Sequence, residues 1–174
     1  MLRSCQGDNQ AYYQLVQRWQ GRLVNFFYRQ VQQHQTAEDL AQDVLVSLWK
    51  VKHYETRAQF STWIYRIARN RLIDYLRRPA TPQQIEDHEL ERVIGASHET
   101  PENQLILREE QQRLWAALAQ LPEKQRTLVI LGKYQELDHA HIAEVVQCSK
   151  NSVKVLLFRA MSNLAKIFKE MSPP

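Results

Sequence analysis

Asp138-His139-Ala140-His141-Ile142-Ala143-Glu144-Val145-Val146-Gln147-Cys148-Ser149-Lys150-Asn151-Ser152-Val153-Lys154-Val155 is the stretch on which the reading of this chain turns. Asp138 is a good N-cap, because its short side-chain oxygen can accept from the free N–H groups of a first helical turn, and a second helix starts at Ser149. Ile142, Ala143, Val145 and Val146 form one apolar stripe, and Val153, Leu157, Ala160, Leu164 and Ile167 form another at helical spacing. Only Gln147-Cys148-Ser149 lies between the two. A short helix, a tight turn and a longer helix make a helix-turn-helix, with Ile142 and Ala143 packing on Val153.

The longer helix is also strongly basic. From Ser149 to Lys169 it carries Lys150, Lys154, Arg159, Lys166 and Lys169 and no acid. With Val153 and Leu164 inward, the outward arc holds Asn151, Lys154, Val155, Phe158 and Arg159. A cationic helix fits the major groove and phosphates of DNA. Asn can read a base edge, Lys and Arg reach phosphate or guanine, and Val meets a thymine methyl. The competing reading is an ordinary basic surface helix in a bundle.

Working outward, a helix from about Glu102 to Ala119 carries Leu105, Leu114, Trp115 and Leu118. Another opens at Pro122, a favoured first helical position, with Leu128, Val129 and Leu131 inward. The N-terminal half contains three more. The first starts near Asn9 with Tyr12, Leu15, Val16, Trp19, Leu23, Phe26 and Phe27 on one face. The second starts at Thr36, where Thr36-Ala37-Glu38-Asp39 has the form of a capping box, and buries Leu40, Ala41, Val44, Leu45 and Leu48. The third follows Phe60, capped by Ser61 or Thr62, and places Ile64, Ile67, Ala68 and Tyr75 on a face. It ends at Arg78, before Pro79.

Between the halves the pattern breaks. Pro79, Thr81, Pro82, Gly95, Ser97, Thr100 and Pro101 cluster here. From Ala80 to Glu110 the acids Glu86, Asp87, Glu89, Glu91, Glu99, Glu102, Glu109 and Glu110 face only Arg92 and Arg108. This reads as a linker over 80–101. The 174 residues contain only 4 glycines and 6 prolines, too few turn formers for a many-stranded β fold. The fold class is therefore all-α: two small helical domains joined by a linker, the second with the helix-turn-helix.

Composition narrows the function. The net charge is +4 and the pI about 9.1. Cys5 and Cys148 stand alone, with neither a disulfide framework nor a zinc spacing, and suggest a reducing, cytoplasmic setting. Met1 to Asp8 lacks the apolar core of a signal peptide, and no apolar run reaches the ~18 residues needed to cross a bilayer. There is no Gly-rich phosphate loop, no H-E-x-x-H and no G-x-S-x-G. His139 and His141 stand two apart, not on one helix face as paired metal ligands require. Neither an enzyme nor a cofactor or metal site is expected.

Two further patterns point to partners. Arg57, Arg66, Arg69, Arg71, Arg77 and Arg78 surround the single acid Asp74, with Trp63, Tyr65 and Tyr75 interleaved. Arginines beside aromatics suit single-stranded nucleic acid, although the aromatics also suit a core. Glu38, Asp39 and Asp43 gather beside Gln42 near a helix start. The helix dipole alone accounts for acids there; an acidic face on a basic protein is also a docking face.

These motifs together resemble the bacterial sigma-70 family of transcription factors. Thr36-Ala37-Glu38-Asp39-Leu40-Ala41-Gln42-Asp43-Val44 resembles its region 2.2. Phe60-Ser61-Thr62-Trp63-Ile64-Tyr65-Arg66-Ile67-Ala68-Arg69-Asn70 with Asp74 resembles regions 2.3–2.4. Leu121-Pro122-Glu123-Lys124-Gln125-Arg126, Ile142-Ala143-Glu144, Ser152-Val153-Lys154 and Arg159-Ala160 resemble region 4. Two regions joined by a linker are similar to the extracytoplasmic-function (ECF) group.

The resemblance implies a region 2 domain over 1–79, the linker over 80–101 and a region 4 domain over 102–174. It implies a factor that binds core RNA polymerase, directs it to promoters through −10 and −35 elements, and assists melting. By the same resemblance Glu38, Asp39, Gln42 and Asp43 face the β′ clamp helices, and the β subunit is a further contact. Trp63, Arg66, Arg69, Asn70, Arg77 and Arg78 handle the −10 element. Lys150, Asn151, Ser152, Lys154, Val155 and Arg159 read the −35 element. An anti-sigma factor is an expected partner, membrane insertion is not, and the location is cytoplasmic.

The sequence also departs from the family. Gln135-Glu136-Leu137-Asp138 lacks the usual glycine before the helix-turn-helix, and Gln147 and Asn151 stand where glycines are usual. Asn tolerates positive φ, which keeps the turn feasible. Val155-Leu156 replaces a Ser-Arg pair. The alternatives are a conventional helix-turn-helix regulator that binds DNA without polymerase, and a sigma-like protein-interaction module.

Overall fold

A computed structural model describes residues 1–5, 7–51, 54, 59–78 and 101–171, with backbone alone for residues 2 and 101–108. The described residues form helices α1 (Leu2–Cys5), α2 (Asn9–Val31), α3 (His34–Trp49) and α4 (Phe60–Leu76), then α5 (Pro101–Gln120), α6 (Glu123–Val129), α7 (His139–Val146) and α8 (Lys150–Glu170). A π-turn over Ile130–Tyr134 extends α6. The linker expected over 80–101 lies outside the described residues except at Pro101, where α5 begins. Arg57 also lies outside them.

In the first unit, α2 and α3 pack as a hairpin and α4 closes over α3. The apolar stripes are those the periodicity predicts: Leu15, Trp19, Leu23, Phe26 and Phe27 on α2, and Leu40, Ala41, Val44, Leu45 and Leu48 on α3. In the second unit α5, α6 and α7 pack along α8, with Val153, Ala160 and Leu164 buried and α5 reaching its C-terminal end at Ile167 and Phe168.

Three caps differ from the sequence expectation. Helix α3 starts at His34, so there is no capping box at Thr36; Gln33 is the N-cap, and the Thr36 hydroxyl donates to its Oε1 at 3.0 Å. Packing of α3 against α2 extends the helix two residues ahead of the local Thr36 signal. Helix α4 starts at Phe60 on Gln59 without a side-chain cap. Ser61 and Thr62 are already inside the helix, and Thr62 is buried at 2% exposure. Pro122 sits one position earlier than expected, as N-cap with extended ψ.

The two units do not stand apart. α4 packs on α7, and α2 packs on α5 and α6. Their buried side chains join: Leu23, Phe26, Ile64 and Tyr65 belong to the same apolar cluster as Leu128, Ile142, Val145 and Val153.

Candidate nucleic-acid and polymerase interfaces

The helix-turn-helix is built as the caps dictate. The Asp138 carboxylate accepts from the N–H groups of Ala140 (2.8 Å) and His141 (2.9 Å). These bonds hold its carboxyl below the usual aspartate range. Ser149 Oγ accepts from the Ser152 N–H at 3.1 Å. Between them Gln147 takes φ 56°, the left-handed conformation that closes α7. Glu136 also takes φ 54° just before the motif. The positive φ therefore falls on Glu136 and Gln147, not on Asn151, which lies in the first turn of α8.

On α8 the exposed strip is the expected one. Lys150, Asn151, Lys154, Val155, Phe158 and Arg159 are all exposed, Val155 by 51% and Phe158 by 76%. Ser152 is different: it is half-buried, and its hydroxyl lies 2.7 Å from that of Ser149. It serves the cap as well as the face.

On α4 the residues expected together divide. Arg66, Asn70 and Arg77 are exposed and follow steps of four and seven, so they share a face. Arg78 is exposed just beyond the helix end. Trp63 is half-buried in an aromatic group, 5.1 Å from the Tyr54 ring and 5.7 Å from the Phe60 ring. Arg69 lies against the second unit, its side chain 12% exposed and its Nε 3.5 Å from Glu123 Oε1. Tyr65, read beforehand among the stacking aromatics, is 1% exposed. It lies between the Trp19 and Phe26 rings and donates its hydroxyl to Gln135 Oε1. Burial pushes its pKa well up. It is a core residue because α4 turns that face to both α2 and the second unit.

On α3, Asp39, Gln42 and Asp43 are exposed and Glu38 is half-buried. With the helix starting at His34, no acid lies in its first turn. The dipole effect falls off within that turn, so it does not account for the cluster. Among the described residues each acid has a local partner: Glu38 has His34 at 3.4 Å, Asp39 has Gln35 at 3.2 Å, and Asp43 has Arg71 of α4 at 3.7 Å.

The sequence reading missed the contacts between units. Gln30 is 2% exposed and donates to Thr127 Oγ1 at 2.8 Å. The Arg29 guanidinium lies 5.0 Å from the Trp115 ring and 4.4 Å from the Tyr134 ring. A signal was present: Gln30 follows Phe26 and Phe27 at steps of four and three, a polar residue in an apolar stripe. Among the described residues no group of His, Cys, Asp and Glu could hold a metal, and no helix is long and apolar enough to cross a membrane.

Comparison with known proteins agrees with this geometry. Residues 15–81 match the family described as Sigma-70 region 2, and residues 111–164 match Sigma-70, region 4. The chain is 30% identical to the RNA polymerase sigma-H factor of Pseudomonas aeruginosa, covering 92% of this chain and 87% of that one. It is also 30% identical to the ECF RNA polymerase sigma factor RpoE of Cereibacter sphaeroides, covering 90% and 86%. Among solved structures its fold is similar to that of CnrH in complex with the cytosolic domain of CnrY (TM-score 0.73, 20% identity, 98% of this chain and 95% of that one). With helix-turn-helix, arginine helix and acidic helix in the order that these matches require, the chain belongs to the sigma-70 family of RNA polymerase sigma factors, in its ECF group.

Proposed function

We propose that the chain is a promoter-directing factor whose three charged faces divide the work. Glu38, Asp39, Gln42 and Asp43 dock on the β′ clamp helices of core polymerase, with the β subunit as a further contact. Arg66, Asn70, Arg77 and Arg78, with Trp63 and Arg69, handle the −10 element as a separated strand and assist melting. Lys150, Asn151, Lys154, Val155 and Arg159, with Ser152 at the cap, read the −35 element as duplex. The domains run over 1–79 and 102–174 with a linker over 80–101. The protein is a cytoplasmic, non-enzymatic factor without cofactor, and the solved sigma factor RpoE of Bartonella quintana, co-crystallised with the anti-sigma factor NepR, supports such a partner here.

The observation that carries this reading is the exposed acid group of α3 beyond the first turn. A factor that used DNA alone has no need of it. Reversing Asp39 and Asp43 to Lys should reduce capture of core polymerase at least tenfold while far-UV circular dichroism stays unchanged. Equal capture by the double variant in a pull-down removes the docking role. A gel shift separates the functions: the wild-type chain should retard promoter duplex strongly only with core polymerase present.

A further inference from the structure

Helix α2 carries the cations Arg18, Arg22 and Arg29 and no acid. At about 100° per residue, Gln14, Gln17, Arg18, Gly21, Arg22 and Asn25 share one outward arc. All are exposed except Asn25, which is half-buried. Arg29 continues the arc but is spent on the second unit, against Trp115 and Tyr134. Arg18 and Arg22 are not spent. Asp8 is held by Arg3 at 2.8 Å and Asp43 by Arg71, and neither arginine has an acid partner among the described residues.

Gly21 interrupts this arc in the interior of a 23-residue helix. Glycine is the poorest helix former after proline. The two usual reasons for placing it there fail. Its φ is not left-handed, and a Cβ at this position would meet nothing within 4 Å, so neither a turn nor packing among the described residues requires it. What it does leave is a notch of bare backbone beside two arginines, and glycine serves where a ligand must approach a backbone closely.

The notch adjoins the aromatic group of α4. The Arg22 guanidinium lies 5.4 Å from the Trp19 ring, Trp19 lies 5.3 Å from Phe60, and Phe60 lies 5.7 Å from Trp63. These contacts run unbroken from α2 to the residues assigned above to the separated strand. The cation–π contact also holds Arg22 in place, so little side-chain freedom is lost on binding. The arc has no apolar side chain, and so lacks the centre of a protein interface. Cations that track a backbone beside aromatic rings suit single-stranded nucleic acid.

We propose that this arc of α2 is a second single-strand subsite. Arg18 and Arg22 hold phosphates of the separated strand next to the nucleotides at Trp63, and the notch at Gly21 admits its sugar-phosphate backbone. The subsite rests on the functional reading of α4, but it uses residues outside every motif on which that reading stands.

Holoenzyme binding against salt concentration tests it on two probes of one promoter: blunt duplex, and a fork whose non-template strand is single from the −10 element onward. The wild type should prefer the fork. Arg18→Ala with Arg22→Ala should reduce the salt slope on the fork by about 1.4, twice the contribution of one single-strand phosphate, and leave the slope on blunt duplex unchanged. Arg18→Lys with Arg22→Lys should restore it. Gly21→Leu puts a good helix former into open space, so its Tm should hold or rise while its affinity for the fork falls. That variant keeps the test valid if the double variant misfolds. Fork binding unchanged in both the alanine pair and Gly21→Leu overturns the subsite. Equal losses on the two probes, or weaker capture of core polymerase in a pull-down, also overturn it, by assigning the arc to duplex or to protein. A wild-type holoenzyme with no preference for the fork overturns the reading of α4, and the subsite with it.

Discussion

Helices α4 and α8 both present cations at helical spacing, yet the fold holds them in opposite ways. On α8 the basic strip faces solvent along its length, and its apolar members Val155 and Phe158 face solvent with it. On α4 one edge is committed to packing: Tyr65 is buried, and Arg69 pairs with the other unit. The difference follows from position. α8 packs only within its own unit, on α5, α6 and α7, through the stripe of Val153, Ala160 and Leu164, and its opposite face is left to solvent. α4 sits between α3 and α7, so two of its faces are buried. A helix held between two units exposes a narrow reading face, and its aromatics become structural before they become available for stacking.

The largest effect that tests this contrast is on stability. Tyr65→Ala should destabilise the fold by about 3–5 kcal/mol, as for other buried large-to-small changes, whereas Phe158→Ala should change it by less than about 0.5 kcal/mol. Urea unfolding of both variants measures the difference. Equal effects would mean that the outward face of α8 is as buried as the Tyr65 face of α4.

Next is base reading on the open helix. Asn151→Ala should cost about 1–3 kcal/mol of discrimination at one or two −35 positions, measured by competition among promoter duplexes with the holoenzyme. A uniform loss across sequences would assign Asn151 to phosphate.

The phosphate contacts are weaker. Lys154→Ala should lower affinity on all sequences alike and reduce the salt slope by about 0.9, one phosphate contact. Val155→Arg should raise the slope by a similar amount. A slope unchanged in both variants would mean that the α8 strip faces a protein.

The smallest effect concerns the cap that aims α8's partner helix. The carboxyl of Asp138 is held below its ordinary value of 3.8 by the N–H groups of His141 and Ala140. A depressed folded value means that the cap stabilises α7 above the unfolded value, and that this contribution fades as pH falls through the folded one. Amide exchange at Ala140 and His141 should therefore accelerate below about pH 4, beyond the intrinsic trend, and do so less in Asp138→Asn. Identical profiles would show that the cap is not held by charge.

By itself, the sequence determined the main helices, their buried stripes and the Asp138 cap of the helix-turn-helix. These depend on neighbours three and four residues apart, which periodicity reports directly. The exposed strip on α8 was legible for the same reason. The start of α3 was not, because the hairpin with α2 overrode the local Thr36 signal, and so the acids moved out of the first turn. Nor was the division of α4. Whether Tyr65 stacks on a base or fills a core, and whether Arg69 meets phosphate or Glu123, depends on a helix far along the chain. Residues 69 and 123 meet only after two units dock, and no local pattern encodes that. The tertiary structure decided it, because Tyr65 packs on Trp19 and Phe26 of α2, and Gln30 and Thr127 bond to each other only where the units meet.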